Sequence, residues 1–271
     1  MALTTWSNTR IIFIQTVSNR YDLRYFCFPL HLNKISVMTP EKSDHRDQLF
    51  EKLIGKAELK QTVYHQTFSS FKLLKKGIDK ITAQYHEYYD QNKPKYHVEF
   101  DARLRGDFEI ELKFGGDILL FLMHTNVFEF SREHSVMKTK YIKDDPERSF
   151  CGMICIYNFL ADSFKYNRVN DVGYMIGRIF INKDKHYFIE GKKELGFLFN
   201  NFGDYVFKSE SVETIVEAAI KYTLNFDLLT PPYLKMQEVT INEMKNTLDA
   251  ISMKTGKRLG FKFQADVEEN K

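Results

Sequence analysis

The chain has 271 residues and a mass of 32.1 kDa, room for one large domain or two modest ones. Its 43% apolar and 28% charged residues exclude a disordered or fibrous chain, and no apolar run approaches the ~20 residues of a membrane span. A net charge of +3 gives no support for a nucleic-acid partner, and three cysteines exclude a disulfide scaffold and fit a reducing, cytoplasmic setting.

Residues 1–37 differ from the rest of the chain. Their longest apolar run, Ile11 to Ile14, falls short of a signal peptide's apolar region, and they hold neither a helical period nor strand alternation. Their charges are Arg10, Arg20, Arg24 and Lys34 against Asp22 alone. Setting them aside leaves 35 basic and 35 acidic residues, so the whole excess charge lies in this segment. The expectation is that residues 1–37 are disordered or not part of the native chain, with Met38 the true start. Residues 38–271 are then expected to form a single domain.

Two helices open that domain. Leu49, Phe50, Leu53, Ile54 and Ala57 form an apolar stripe between Asp44 and Leu59. Gly55 and the polar Lys60-Gln61-Thr62 weaken or end that helix. A second helix, from Val63 to Gln91, carries Phe71, Leu74, Ile78, Ile81, Tyr85 and Tyr88 in alternating steps of three and four. This narrow seam suits packing on the domain's own sheet or, as the alternative, a homodimer through Phe71–Tyr88. Asn92 and Pro94 end the helix.

Beyond Pro94 the pattern changes to period two. Val98, Phe100, Ala102 and Leu104 alternate with charged residues, and after Gly106-Asp107 so do Phe108, Ile110, Leu112 and Phe114, a hairpin pattern. Gly115-Gly116-Asp117 turns into Ile118–Met123, apolar on both faces and so a central strand. Val127–Phe130 and Val136–Ile142 read as further strands. Cys151–Phe159 is mostly apolar and is ambiguous between a buried strand and a buried helix. Tyr174–Ile181 and His186–Glu190 form a second hairpin, with Leu195–Phe199 and Tyr205–Phe207 as short strands.

Ser211 is placed to cap a helix ended by Pro231-Pro232, and Thr240 to Glu243 is a capping box opening a helix through Met253. Arg258–Phe263 reads as a final strand. Strands that follow one another directly pair antiparallel. The fold class is therefore α+β: a mainly antiparallel sheet of hairpin-connected strands, with two N-terminal and two C-terminal helices packed on it.

The first hairpin has a register set by burial. A connection of Arg105-Gly106-Asp107 pairs Leu104 with Phe108 and Phe100 with Leu112, gathering the apolar residues on one face. On the other face it sets Glu99 against Lys113, Arg103 against Glu109 and Asp101 against Glu111. The last is a repulsive pair unless something compensates. The arrangement Asp101…Glu111-Leu112-Lys113 resembles the D…ExK signature of the PD-(D/E)xK nuclease superfamily. The resemblance implies that Asp101 and Glu111 hold Mg²⁺ while Lys113 assists hydrolysis.

Other constellations are ordinary by comparison. His97, Glu99 and Asp101 share a strand face without a second histidine beside them, and His124 and His134 have no metal-ligand spacing. Cys151 and Cys155, set among Met153, Ile154 and Ile156, read as core. Tyr85, Tyr88, Tyr89 and Tyr96 cluster at the helix-to-sheet junction, where they suit either a binding surface or the core. The functional expectation is a non-catalytic binding or interaction domain with no cofactor and no membrane contact. The alternative is a Mg-dependent nuclease or phosphodiesterase working through Asp101, Glu111 and Lys113.

Overall fold

The computed structural model describes residues 40–169, 171–197 and 200–227, with residues 230, 233–235, 237–238 and 240–242 beyond them. Compact units divide the chain at 46/47, and only Pro40–Arg46 of the first is described. The segment 1–37, the helix expected through Met253 beyond Asn242, and the strand Arg258–Phe263 lie outside the described residues.

A single helix, α1 (Pro40–Asn92), replaces the two expected ones. Gly55 costs a helix interior about 1 kcal/mol relative to alanine, which does not outweigh the helix formers around it. Thr62 turns its hydroxyl back onto the Glu58 carbonyl at 2.9 Å and stays inside the helix. At 1.5 Å per residue α1 is about 80 Å long. Residues 45–58 are exposed, and burial begins at Val63.

The sheet is antiparallel throughout. Its strands are β1 (Phe100–Leu104), β2 (Glu109–Phe114), β3 (Asp117–Met123), β4 (Phe128–Glu129), β5 (Phe150–Leu160), β6 (Tyr174–Asn182) and β7 (Tyr187–Gly191). They run in the order β1-β2-β3-β5-β6-β7, with β4 pairing the start of β5. Ile118 to Phe121 are all buried, as a central strand requires. The ambiguous segment around Cys151–Phe159 is the longest strand, β5, placed between β3 and β6.

Between the strands lie short helices α2 (Lys140–Asp144) and α3 (Ala161–Lys165), and after β7 come α4 (Glu194–Phe197) and α5 (Ser209–Leu224). The strand expected over Val136–Ile142 is instead a 3₁₀ turn, Ser135–Lys138, followed by α2. Local capping explains it: His134 Nδ1 accepts from the Val136 N–H and Thr139 Oγ1 from the Ile142 N–H, satisfying donors a sheet would otherwise need. The strand expected at Leu195–Phe199 starts as helical turn α4, because the Leu195 and Gly196 N–H groups donate to Lys192 and Lys193. Ser211 sits inside α5 rather than at its cap, which is Lys208.

One face of the sheet carries the main core. Phe100, Ile110, Leu112, Phe114, Leu119, Phe121, Ile154, Ile156, Ile179 and Ile189 meet Phe71, Leu74 and Ile78 of α1 and Val212, Ile215, Val216 and Ala219 of α5. The Phe71-to-Ile78 part of the helical seam is thus packed on the chain's own sheet. A Cβ at Gly77 would collide with Val212, so glycine is what lets α1 and α5 touch. On the opposite face, Phe130, Val136, Tyr141 and Ile142 fold over Phe180, Phe188 and Phe202 as a second, smaller core.

Candidate functional site

The first hairpin fixes where the acidic residues stand. The observed register pairs Phe100 with Phe114, Asp101 with Lys113, Arg103 with Glu111 and Leu104 with Ile110. The connection is Gly106-Asp107-Phe108, closed by the Arg105 N–H donating to the Glu109 carbonyl at 3.1 Å. Every side chain keeps its expected face, because each residue's partner moves by two positions and parity is preserved. The rungs themselves change, and this corrects the expected facing of Asp101 and Glu111.

Two features favour the shift. Gly106 has φ +145°, open mainly to glycine, and Phe108 leaves the ladder to pack its ring 5.8 Å from Phe68 of α1. Each acid now faces a base, which removes the like-charge pair.

The three residues are also held differently. Asp101 is exposed, its nearest basic partner being His86 Nε2 at 3.6 Å. Lys113 is paired with Glu99. That ion pair, through hydrogen bond and charge, holds the Glu99 carboxyl below its ordinary range. Glu111 is 2% exposed. Arg103 lies 2.7 Å from its Oε1 and Arg105 Nε 2.6 Å from its Oε2, the latter near enough for an ion pair though not aligned as a hydrogen bond. Its burial follows from its row across the sheet, Arg103–Glu111–Leu120–Tyr157–Met175, where Leu120 is its neighbour on β3. No group of three or more His, Cys, Asp or Glu placed to hold a metal ion occurs among the described residues.

A second polar cluster lies further across the same face. His134 Nε2 stands 2.8 Å from Glu190 Oε1, and Arg178 pairs with Oε2. Because Nδ1 accepts from the Val136 N–H, the neutral ring carries its proton on Nε2 and donates it to Glu190. Burial alone would raise the Glu190 carboxyl, but His134 and Arg178 outweigh it and the net shift is downward. The neighbouring Cys155 moves the other way: burial lifts its thiol, against opposing pulls from Tyr157 and Arg178. A raised thiol stays protonated and is a poor nucleophile.

A concavity lies elsewhere, between α1 and α5. It is a groove of about 550 Å³ lined by Ile81, Tyr85, Tyr88, Phe100, Ile220 and Leu224, with Gln84, Glu217, Lys221 and Asn225 supplying polar groups. The two helices touch at Gly77 and Val212, are bridged from Lys80 to Glu213 at 2.6 Å, and part beyond that point. Tyr85 stacks on Phe100 at 4.7 Å and donates its hydroxyl to the Val98 carbonyl at 2.9 Å, fixing one wall. Burial, helped by the neighbouring Tyr89, raises the Tyr85 phenol and keeps it a donor.

Of the four tyrosines singled out in sequence, Tyr85 and Tyr88 line the groove. Tyr89 packs on His97, with ring centroids 5.8 Å apart, and Tyr96 is 70% exposed. The α5 residues opposite carried no sequence signal beyond amphipathic spacing, because they meet α1 only through the tertiary fold.

No protein-family model, curated protein or solved structure matches the chain. No helix among the described residues is long and apolar enough to cross a membrane.

Proposed function

We propose that the chain is a non-catalytic binding domain whose ligand, a small molecule with an aromatic or aliphatic body and one polar end, occupies the groove between α1 and α5. The observation that carries this is the lining itself. Tyr88 and Leu224 stand 65% and 66% exposed on its two walls above Phe100, and Lys221, Glu217 and Asn225 sit beside them. A concave apolar surface with a few polar groups at its rim is the usual form of a small-molecule site, and about 550 Å³ lies within the normal range. The free, buried thiols of Cys151 and Cys155 support a reducing cytoplasmic setting for it.

Titration with anilinonaphthalene sulfonate, an apolar fluorophore with an anionic end, tests the reading. The wild-type protein is expected to bind it, and Leu224→Lys and Tyr88→Ala each to weaken binding by about tenfold with little change in melting temperature. Absence of binding, or binding untouched by both changes, sinks the proposal. The hydrolytic reading has less support, since Glu111 is taken by two guanidinium groups and Lys113 by Glu99. Calorimetric Mg²⁺ binding that disappears in Asp101→Ala would reverse that preference.

A further inference from the structure

Among the described residues, strand β1 closes one end of the sheet and pairs only with β2. Its hydrogen-bonding phase is fixed by two bonds, from the Arg105 N–H to Glu109 and from the Gly115 N–H to Glu99. Residues 99, 101, 103 and 105 therefore turn their backbone groups toward β2. Phe100, Ala102 and Leu104 turn theirs away from it. None of these three has a backbone hydrogen bond on that side among the described residues. Such an edge is a template for another strand unless something blunts it.

We propose that this edge pairs antiparallel with the same strand of a second copy of the chain, about a two-fold axis passing through Ala102. The pairing brings Ala102 opposite its own copy, Phe100 opposite the partner copy's Leu104, Asp101 opposite Arg103, and Glu99 opposite Arg105. Every charged rung then joins an acid to a base, four times over by symmetry, and every outward-facing backbone pair joins residues able to exchange hydrogen bonds.

Charge also selects this register against its neighbours. Centring the axis on Asp101 or on Arg103 sets that residue against its own copy. Centring it on Phe100 or on Leu104 sets Asp101 against Glu99, or Arg103 against Arg105. Only the arrangement about Ala102 contains no like-charge rung, which is how an isologous contact becomes self-complementary.

Exposure fits the same occupant. Asp101 and Arg103 side chains are 69% and 64% exposed, so each can reach a second copy in addition to its partner within the chain, His86 for Asp101 and Glu111 for Arg103. Leu104 is 55% exposed on the face where Phe100 is packed, and the pairing lays the partner copy's Phe100 beside it. The ladder ends at the rungs joining Phe100 to Leu104, because the Val98 carbonyl already accepts from Tyr85. This contact shares only Phe100 with the lining of the groove and leaves Tyr88 and Leu224 uninvolved, so Leu104→Lys reports on the dimer and Tyr88→Ala on the groove.

Sedimentation of the full chain across the micromolar range tests the inference. The expected species has twice the 32.1 kDa of one chain. Asp101→Arg and Arg103→Glu are each expected to weaken the dimer by about tenfold or more, since each creates two like-charge rungs. Mixed in equal amounts, the two variants are expected to recover it, because arginine at 101 then faces glutamate at 103 and the native Arg103 faces the native Asp101. Leu104→Lys, at an exposed position with no role in the chain's own core, is a second route to a monomer should Arg103→Glu fail to fold. A wild-type protein that stays monomeric, a dimer indifferent to Leu104→Lys, or single variants that do not recombine would each overturn the proposal.

Discussion

Glu111 is held at a cost that its surroundings do not fully return. A carboxylate 2% exposed must be stripped of water, and both arginines that meet it are themselves partly solvated, 64% exposed at Arg103 and 32% at Arg105. Replacing a buried ionic group with an apolar one of similar size is often neutral or stabilising, provided the former partners can return to water. Here they can, and Leu120 is the adjoining residue on β3. Glu111→Leu is therefore expected to leave the thermal midpoint unchanged or raise it by a few degrees, as calorimetry would register. A large loss would mean that the two arginines depend on Glu111 for their place.

The opposite balance holds at Glu190. Its carboxyl is pulled down in the folded protein by His134 and Arg178 despite its burial. A depressed carboxyl contributes stability that is present above its unfolded value, 4.5, and disappears as the pH falls through the lower folded value. Glu190→Gln should thus cost about 1 kcal/mol at pH 5 and above, a charge-assisted bond discounted for partial exposure. The two proteins should converge in urea denaturation as the pH is taken below 4.5. A gap that persists undiminished at pH 3 would assign the loss to shape rather than charge.

At the scale of elements, the contact of α1 with α5 turns on one missing side chain. Alanine at Gly77 would gain about 1 kcal/mol of helix propensity, but its Cβ would run into Val212, which is fully buried and cannot swing aside. Overpacking of this kind costs about 1–3 kcal/mol, so Gly77→Ala is expected to lower the melting temperature by roughly 3 °C or more. An increase would show that the two helices separate without penalty.

Local patterns foretold the elements that rest on local chemistry. Alternation marked the first hairpin and the doubly apolar run marked β3, while the three-and-four spacing from Phe71 to Ile78 marked the buried stripe of α1. What failed depended on particular side-chain and backbone bonds. His134 and Thr139 each capped a turn, converting the Val136–Ile142 segment into a 3₁₀ turn and α2, and Phe108 left the hairpin for Phe68, moving each residue's facing partner by two. Parity survived that slip, so the faces were legible and the facing pairs were not. The groove was half legible: Tyr85 and Tyr88 stood out by composition, while Ile220 and Leu224 joined them only through the α1–α5 packing.

For the whole molecule, burial divides α1 into a working part and an overhang. From Val63 to Ile78 the helix supplies Val63, Thr67, Phe71, Leu74 and Ile78 to the interior. Between Asp47 and Glu58 no side chain is buried: Leu49, Phe50, Leu53 and Ile54 are 57%, 49%, 64% and 56% exposed, and Lys56 lies over the Phe150 ring at 4.8 Å. Stability scales with apolar surface removed from water, so a segment that removes almost none contributes almost none. Changing Leu49, Phe50, Leu53 and Ile54 together to glutamine is expected to leave the melting temperature within about 2 °C of the wild type. Helical signal should be kept, and solubility should rise as an exposed apolar stripe is removed. A fall of 5 °C or more in calorimetry would show that the overhang is braced against the rest of the protein, and would make the Leu49–Ile54 stripe part of the fold rather than a surface left open.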